Sequence, residues 1–126
     1  MSQYLRAFND HFMEFVDDIE RVFPNDVDIV AAKMALITIR KSNPKILITT
    51  FKECVAKPYR NEIEKGNIDF FINKDYGNDL GEGQEANAIL DKIDSLRAPI
   101  RQMSEKELEN IVVYIQNLTR LCYLYN

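Results

Sequence analysis

Residues 5–24 read LRAFNDHFMEFVDDIERVFP, and their apolar side chains gather on one side of a helix. Leu5, Phe8, Phe12, Phe15, Ile19 and Val22 recur at three- and four-residue steps, the spacing that lines a single helical face. Asp10, Glu14, Asp17, Asp18 and Glu20 take mainly the other faces, and Ser2 stands where an N-cap is wanted. Pro24 ends the run by pushing Phe23 away from helical geometry. Three phenylalanines on one stripe read as core. A helix this two-sided needs other helices to cover it, and the rest of the chain supplies them.

Asn25 and Asp26 offer caps for a second helix reaching about residue 41. Its expected buried stripe is Val27, Val30, Ala31, Met34 and Ile37, with Leu36 beside them, and Ala31 and Ala32 would let a neighbour come close. Residues 42–44 (SNP) are a break with a restart, since proline at a first helical position costs no hydrogen bond. Leu47, Ile48, Phe51 and Val55 are the core positions expected of the third helix. The β-branched residues within 46–50 raise a strand as a rival, but the chain has no second strand-like run to pair with it.

Lys57-Pro58 interrupts the pattern. Residues 59–65 form a further short helix, closed by Gly66 where a left-handed residue ends a helix. Ile68, Phe70, Phe71 and Ile72 would plug a helical turn into the core. Residues 76–85 (YGNDLGEGQE) read as a glycine-bearing surface loop. A fifth helix would use Ile89 or Leu90, Ile93, Leu96 and Ile100, with Pro99 kinking or ending it. Ser104-Glu105-Lys106-Glu107 is a capping box. It opens a sixth helix with Leu108, Ile111, Val112, Ile115, Leu118 and Cys122 on one side. The fold class is therefore all-α, a compact bundle of five to six helices. The first and last are the longest, and are expected to pack together or flank the same core.

At 126 residues the chain is one domain. Apolar residues make up 46% and charged residues 29%, a globular balance rather than a disordered one. Residues 1–6 are polar, no short apolar leader region follows, and no apolar run approaches a membrane span. Cys54 and Cys122 are then expected to be free packing thiols in a reducing, intracellular compartment, with a disulfide between them left open.

Net charge is −4 but unevenly spread. Residues 1–32 hold two basic and seven acidic side chains, residues 33–65 eight and three, and residues 66–126 six and ten. Arg40, Lys41, Lys45, Lys52, Lys57 and Arg60 are the candidate basic patch, suited to phosphates or to acidic helices of the same or another copy. The second reading is preferred, because the chain as a whole is acidic and aromatic interleaving is modest. At the other end, residues 121–125 (LCYLY) are apolar or aromatic on every helical face. Such a helix must be enclosed by the bundle or by a partner. Tyr114, Leu121, Tyr123, Leu124 and Tyr125 are the candidate protein interface.

Catalytic signals are weak. His11 lacks partners at metal-ligand spacing beyond Asp10 and Glu14, and reads as a surface histidine. The cysteines lack zinc-site spacing. Numbered from Asn73 as a calcium loop, glycine falls at the fifth place rather than the sixth, and Gln84 stands where a bidentate glutamate is needed. Gly77, Gly81 and Gly83 do not form a phosphate-cradling pattern. Asp17 and Asp18 read as solvated surface. No catalytic residue, metal site or cofactor is assigned, and an enzyme is the least favoured class.

Residues 15–24 (FVDDIERVFP), 40–44 (RKSNP), 67–76 (NIDFFINKDY) and 114–119 (YIQNLT) resemble a family of small proteins of unassigned function. These occur in nucleocytoplasmic large DNA viruses of algae and protists. The likeness covers most of the chain and is weakest over the glycine-bearing loop. It supplies no catalytic residues. It implies a protein made in the cytoplasm of an infected host cell and placed in the virion or its assembly. The expectation is a non-enzymatic interaction protein, a minor capsid or assembly component that self-associates or binds viral structural proteins. A nucleic-acid-associated protein using residues 40–65 and a host-directed helical adaptor are the alternatives.

Overall fold

A computed structural model of the chain describes residues 3–67, 69, 92, 95, 96 and 98–125. Every element among them is helical. Helix α1 spans Gln3–Val22, α2 Val27–Ser42, α3 Ile46–Phe51, α4 Arg60–Glu64 and α5 Glu105–Leu124. A π-helical turn, Lys52–Ala56, continues α3. Residues 98–101 form a short helical stretch before α5. The architecture is all-α. The loop expected at 76–85 and the apolar cluster at 68 and 70–72 lie outside the described residues, as does most of the expected fifth helix.

Among the described elements, α1 and α5 are the longest helices and make the most extensive contact, and α1 also carries α2 and α3. Leu5, Phe8, Phe12, Phe15 and Ile19 are all buried, so the stripe at 5–19 forms as its spacing predicts. Val22 is instead 37% exposed, because the helix ends there and the chain turns toward α2. Phe8 sits at the centre, with its ring 5.5 Å from Phe51 and 6.0 Å from Phe12. On α5, Ile111, Ile115, Leu118 and Cys122 close the core from the opposite side, while Leu108 and Val112 are half-buried. Leu47, Ile48, Phe51 and Val55 are buried as expected, together with Leu96 and Ile100.

The stripe expected on α2 is corrected. Ile29, Ala32 and Leu36 face the core, whereas Val27, Val30 and Met34 are 77%, 41% and 60% exposed. Ala31 is exposed and Ile37 half-buried. The reason lies in the charges of α1. Lys33 reaches Asp17 at 2.8 Å and Glu20 at 3.0 Å, and Arg40 pairs with Asp10. Ile29, Lys33, Leu36 and Arg40 follow one another at helical spacing, so one orientation of α2 buries the aliphatics and delivers both cations to α1. Asp17, expected as solvated surface, is thus an inter-helix partner.

Local signals set the ends of the elements. Asp26 caps α2 by accepting from the amides of Asp28 and Ile29. Ser104 and Glu107 form the reciprocal capping box of α5, at 3.2 and 2.9 Å. After α4, Gly66 takes φ +73°, and its amide donates to Ile63 O while that of Asn67 donates to Glu62 O. That is a Schellman ending, with glycine at its left-handed position. The third helix begins at Ile46 rather than Pro44, since residues 44 and 45 form a turn whose preceding Asn43 carbonyl accepts from the Ile46 amide. The Asn9 amide group reaches this break and donates to Pro44 O at 2.9 Å, fastening α1 to the α2–α3 junction.

Candidate functional site

The structure splits the candidate basic patch in two. Arg40, Lys41 and Lys45 lie near the end of α2, where Arg40 is held by Asp10 of α1. For Arg40, the acidic helix of the same chain is the partner. Lys52 and Arg60 turn instead toward the end of α5. The Lys52 ammonium lies 5.4 Å and the Arg60 guanidinium 4.6 Å from the centre of the Tyr123 ring, within the range of cation–π attraction. Lys57 pairs with Glu53 at 2.9 Å, a contact that raises its pKa above the ordinary lysine value. Residues 52 and 60 are therefore joined to residue 123 in one site, although they come from separate parts of the chain.

Beside that ring runs a groove of about 430 Å³ between α4 and α5, lined by Arg60, Ile63, Glu64, Gln116, Thr119, Arg120, Tyr123 and Leu124. Leu124 is 55% exposed at its edge. The Gln116 amide group donates to Ile63 O at 3.1 Å and ties the two walls together. Arg60 is held by Glu64 at 3.1 Å and Arg120 by Asn117 at 2.9 Å. The lining combines an aromatic platform, aliphatic surface and two guanidinium groups with one carboxylate. Such a surface is suited to a segment that carries an apolar anchor and acidic neighbours.

The other candidate interface residues divide between roles. Tyr114 lies in the α1–α5 seam, where its hydroxyl donates to Asp18, which also pairs with Arg21. Burial first, then that bond, push the Tyr114 phenol up to about 12. Leu121 and Tyr125 are half-buried against the core, and Leu124 is the exposed member of the set. His11 is not on the polar side of α1. Its ring packs 4.8 Å from that of Tyr114, with Nδ1 3.9 Å from Glu14. Arg120, which no sequence motif marks, joins the groove through its position three residues before Tyr123.

Cys122 is buried, its Sγ donating to Thr119 O at 3.1 Å, and desolvation raises its thiol to about 11. Cys54 is half-buried, and neither cysteine is in a disulfide. Among the described residues no group of three or more His, Cys, Asp and Glu side chains is placed to hold a metal ion. Among them, no helix is long and apolar enough to cross a membrane.

A scan against family models finds no match for the chain, and searches of curated proteins and of solved structures find none either.

Proposed function

We propose that the chain is a non-enzymatic protein-interaction domain whose docking site is the groove between α4 and the end of α5. The observation that carries this reading is Tyr123, whose ring lies within cation–π range of both Lys52 and Arg60 and which is followed by exposed Leu124. Aromatic and arginine side chains around an apolar depression are the composition of interface hot spots. The partner is a protein segment that seats an aliphatic or aromatic side chain against Ile63 and Leu124 and offers carboxylates to Arg60 and Arg120. The biological setting we propose is the particle of a large DNA virus or its assembly, in the cytoplasm of the infected cell. That setting rests on the four stretches that resemble the viral family.

Cations beside an aromatic ring would also suit a nucleic acid, with a base on the ring and phosphates on the cations, which is the second reading. Affinity capture from producing cells, with and without nuclease, separates the two when the wild type is compared with Arg60→Glu and Leu124→Asp. The proposal expects capsid or assembly proteins to be recovered irrespective of nuclease and lost in both variants. Partners that disappear on nuclease treatment would move the function to nucleic acid. Capture of host proteins alone would make the domain a host-directed adaptor. Capture unchanged by both substitutions would remove the groove from the account.

A further inference from the structure

The groove leaves a second surface unaccounted for. On α2, Val27, Val30, Ala31 and Met34 form an apolar strip along the side away from the core, with Val27 77% and Met34 60% exposed. The charges of this helix are sorted by position. Lys33 and Arg40, beside α1, are held by Asp17, Glu20 and Asp10. Away from α1, Asp28 stands in the first turn at the flank of the strip and Lys41 in the last turn on the strip itself, both exposed. A ligand of strong single-sign charge has nothing to match there, but the same helix reversed does.

We infer that the outer face of α2 is a self-association surface on which a second copy of this chain packs its own α2 antiparallel. Reversal sets each Lys41 near the acidic start of the other helix, where Asp26 and Asp28 stand, and opposes the two helix dipoles. Met34 lies close to the two-fold axis, and Ala31 allows the helices to approach. A parallel pair would put Asp28 beside Asp28 and Lys41 beside Lys41. One helix per copy buries less than the roughly 800 Å² a side of a standard interface, so the dimer is weak. This inference stands on α2 alone and is independent of the groove.

Sedimentation velocity over roughly 5–500 µM protein, a range in which a weak dimer dissociates, reads the equilibrium directly. The wild type is expected to shift from monomer to dimer. Met34→Lys should raise the Kd at least about tenfold, since it places like charges together at the axis. Lys41→Glu should raise it less, and more so at low salt. Cross-linking then reads the direction. In a Cys54→Ser background, mild oxidation should give covalent dimers of Met34→Cys. It should not do so for Asp28→Cys, whose copies would lie about 18 Å apart in the antiparallel pair. Both substitutions fall on exposed positions, and circular dichroism checks that the helices are retained. A chain that stays monomeric throughout would overturn the inference, as it would if another protein were the natural cover of this face. So would a dimer indifferent to Met34→Lys, or equal cross-linking at 28 and 34.

Discussion

Helices α1 and α2 are neighbours in sequence and in space, yet they meet the core differently. α1 places its large apolar side chains on one buried face and carries five carboxylates on the remaining surface. α2 carries aliphatic residues on two opposite faces, burying Ile29, Ala32 and Leu36 and leaving Val27, Val30 and Met34 outside. Rolling α2 by half a turn would exchange one aliphatic set for the other, with little change in apolar burial. It would also carry Lys33 and Arg40 away from Asp17, Glu20 and Asp10. The pose of a two-sided helix is fixed by its own pattern. The pose of an evenly apolar helix is fixed by its neighbour.

The largest effects belong to the buried sets of both helices. Phe8→Ala should cost about 3–5 kcal/mol and Leu36→Ala about 2–5 kcal/mol in urea unfolding, because each leaves a cavity at a fully buried site. On the outer face of α2, Met34→Ala and Val30→Ala should stay within about 0.5 kcal/mol of the wild type. Equal losses on the two faces would break the comparison. Asn9→Ala removes the bond to Pro44 at the α2–α3 junction and should cost about 1 kcal/mol, read in the same unfolding experiment.

Tyr114 gives a pH-dependent test of how α1 is held to α5. An unfolded phenol ionises near 10.0, whereas the folded one keeps its proton to about 12. The stability this contributes is complete below the unfolded value and is lost as pH rises through the folded one. Thermal melts should therefore fall on the alkaline side, with Cys122 contributing over an overlapping window because its thiol rises from 9.0 to about 11. Tyr114→Phe should flatten that decline while lowering stability at neutral pH by about 1 kcal/mol. A decline as steep as in the wild type would remove Tyr114 as its source.

The smallest effect is the one that orients α2. Each exposed ion pair contributes about 0.2–1 kcal/mol, so Arg40→Ala or Asp10→Ala should barely move the melting curve. A double-mutant cycle between them should still show coupling, and that coupling should shrink in high salt. Zero coupling at low salt would deprive the charge argument of its basis.

Much of the fold was legible because its signals are local. The α1 stripe, the Asp26 cap, the Ser104–Glu107 box and Gly66 each act within a few residues, so spacing alone revealed them. The face of α2 was not, because aliphatics on opposite sides satisfy the same periodicity. Its signal was a match across helices: Asp10 and Asp17 on α1 have the same separation as Lys33 and Arg40 on α2, in reversed order. The π-helical turn at Lys52–Ala56 carried no sequence mark that would distinguish it from ordinary helix. At the candidate site, the residue types were visible but their grouping was not. Tyr123 and the basic segment stand far apart in the chain, and only the packing of α4 and the π turn on α5 joins Lys52 and Arg60 to that ring.

Which side of α2 faces the core decides both its pairing with α1 and the exposed strip, and thiol labelling of single-cysteine substitutions measures it directly. In a Cys54→Ser background at low protein concentration, Met34→Cys should react nearly as fast as an unfolded thiol. Leu36→Cys should react at least about 100-fold more slowly, because its labelling requires the helix to open. Comparable rates, or a faster reaction at position 36, would contradict the orientation of α2 and the exposed strip that follows from it.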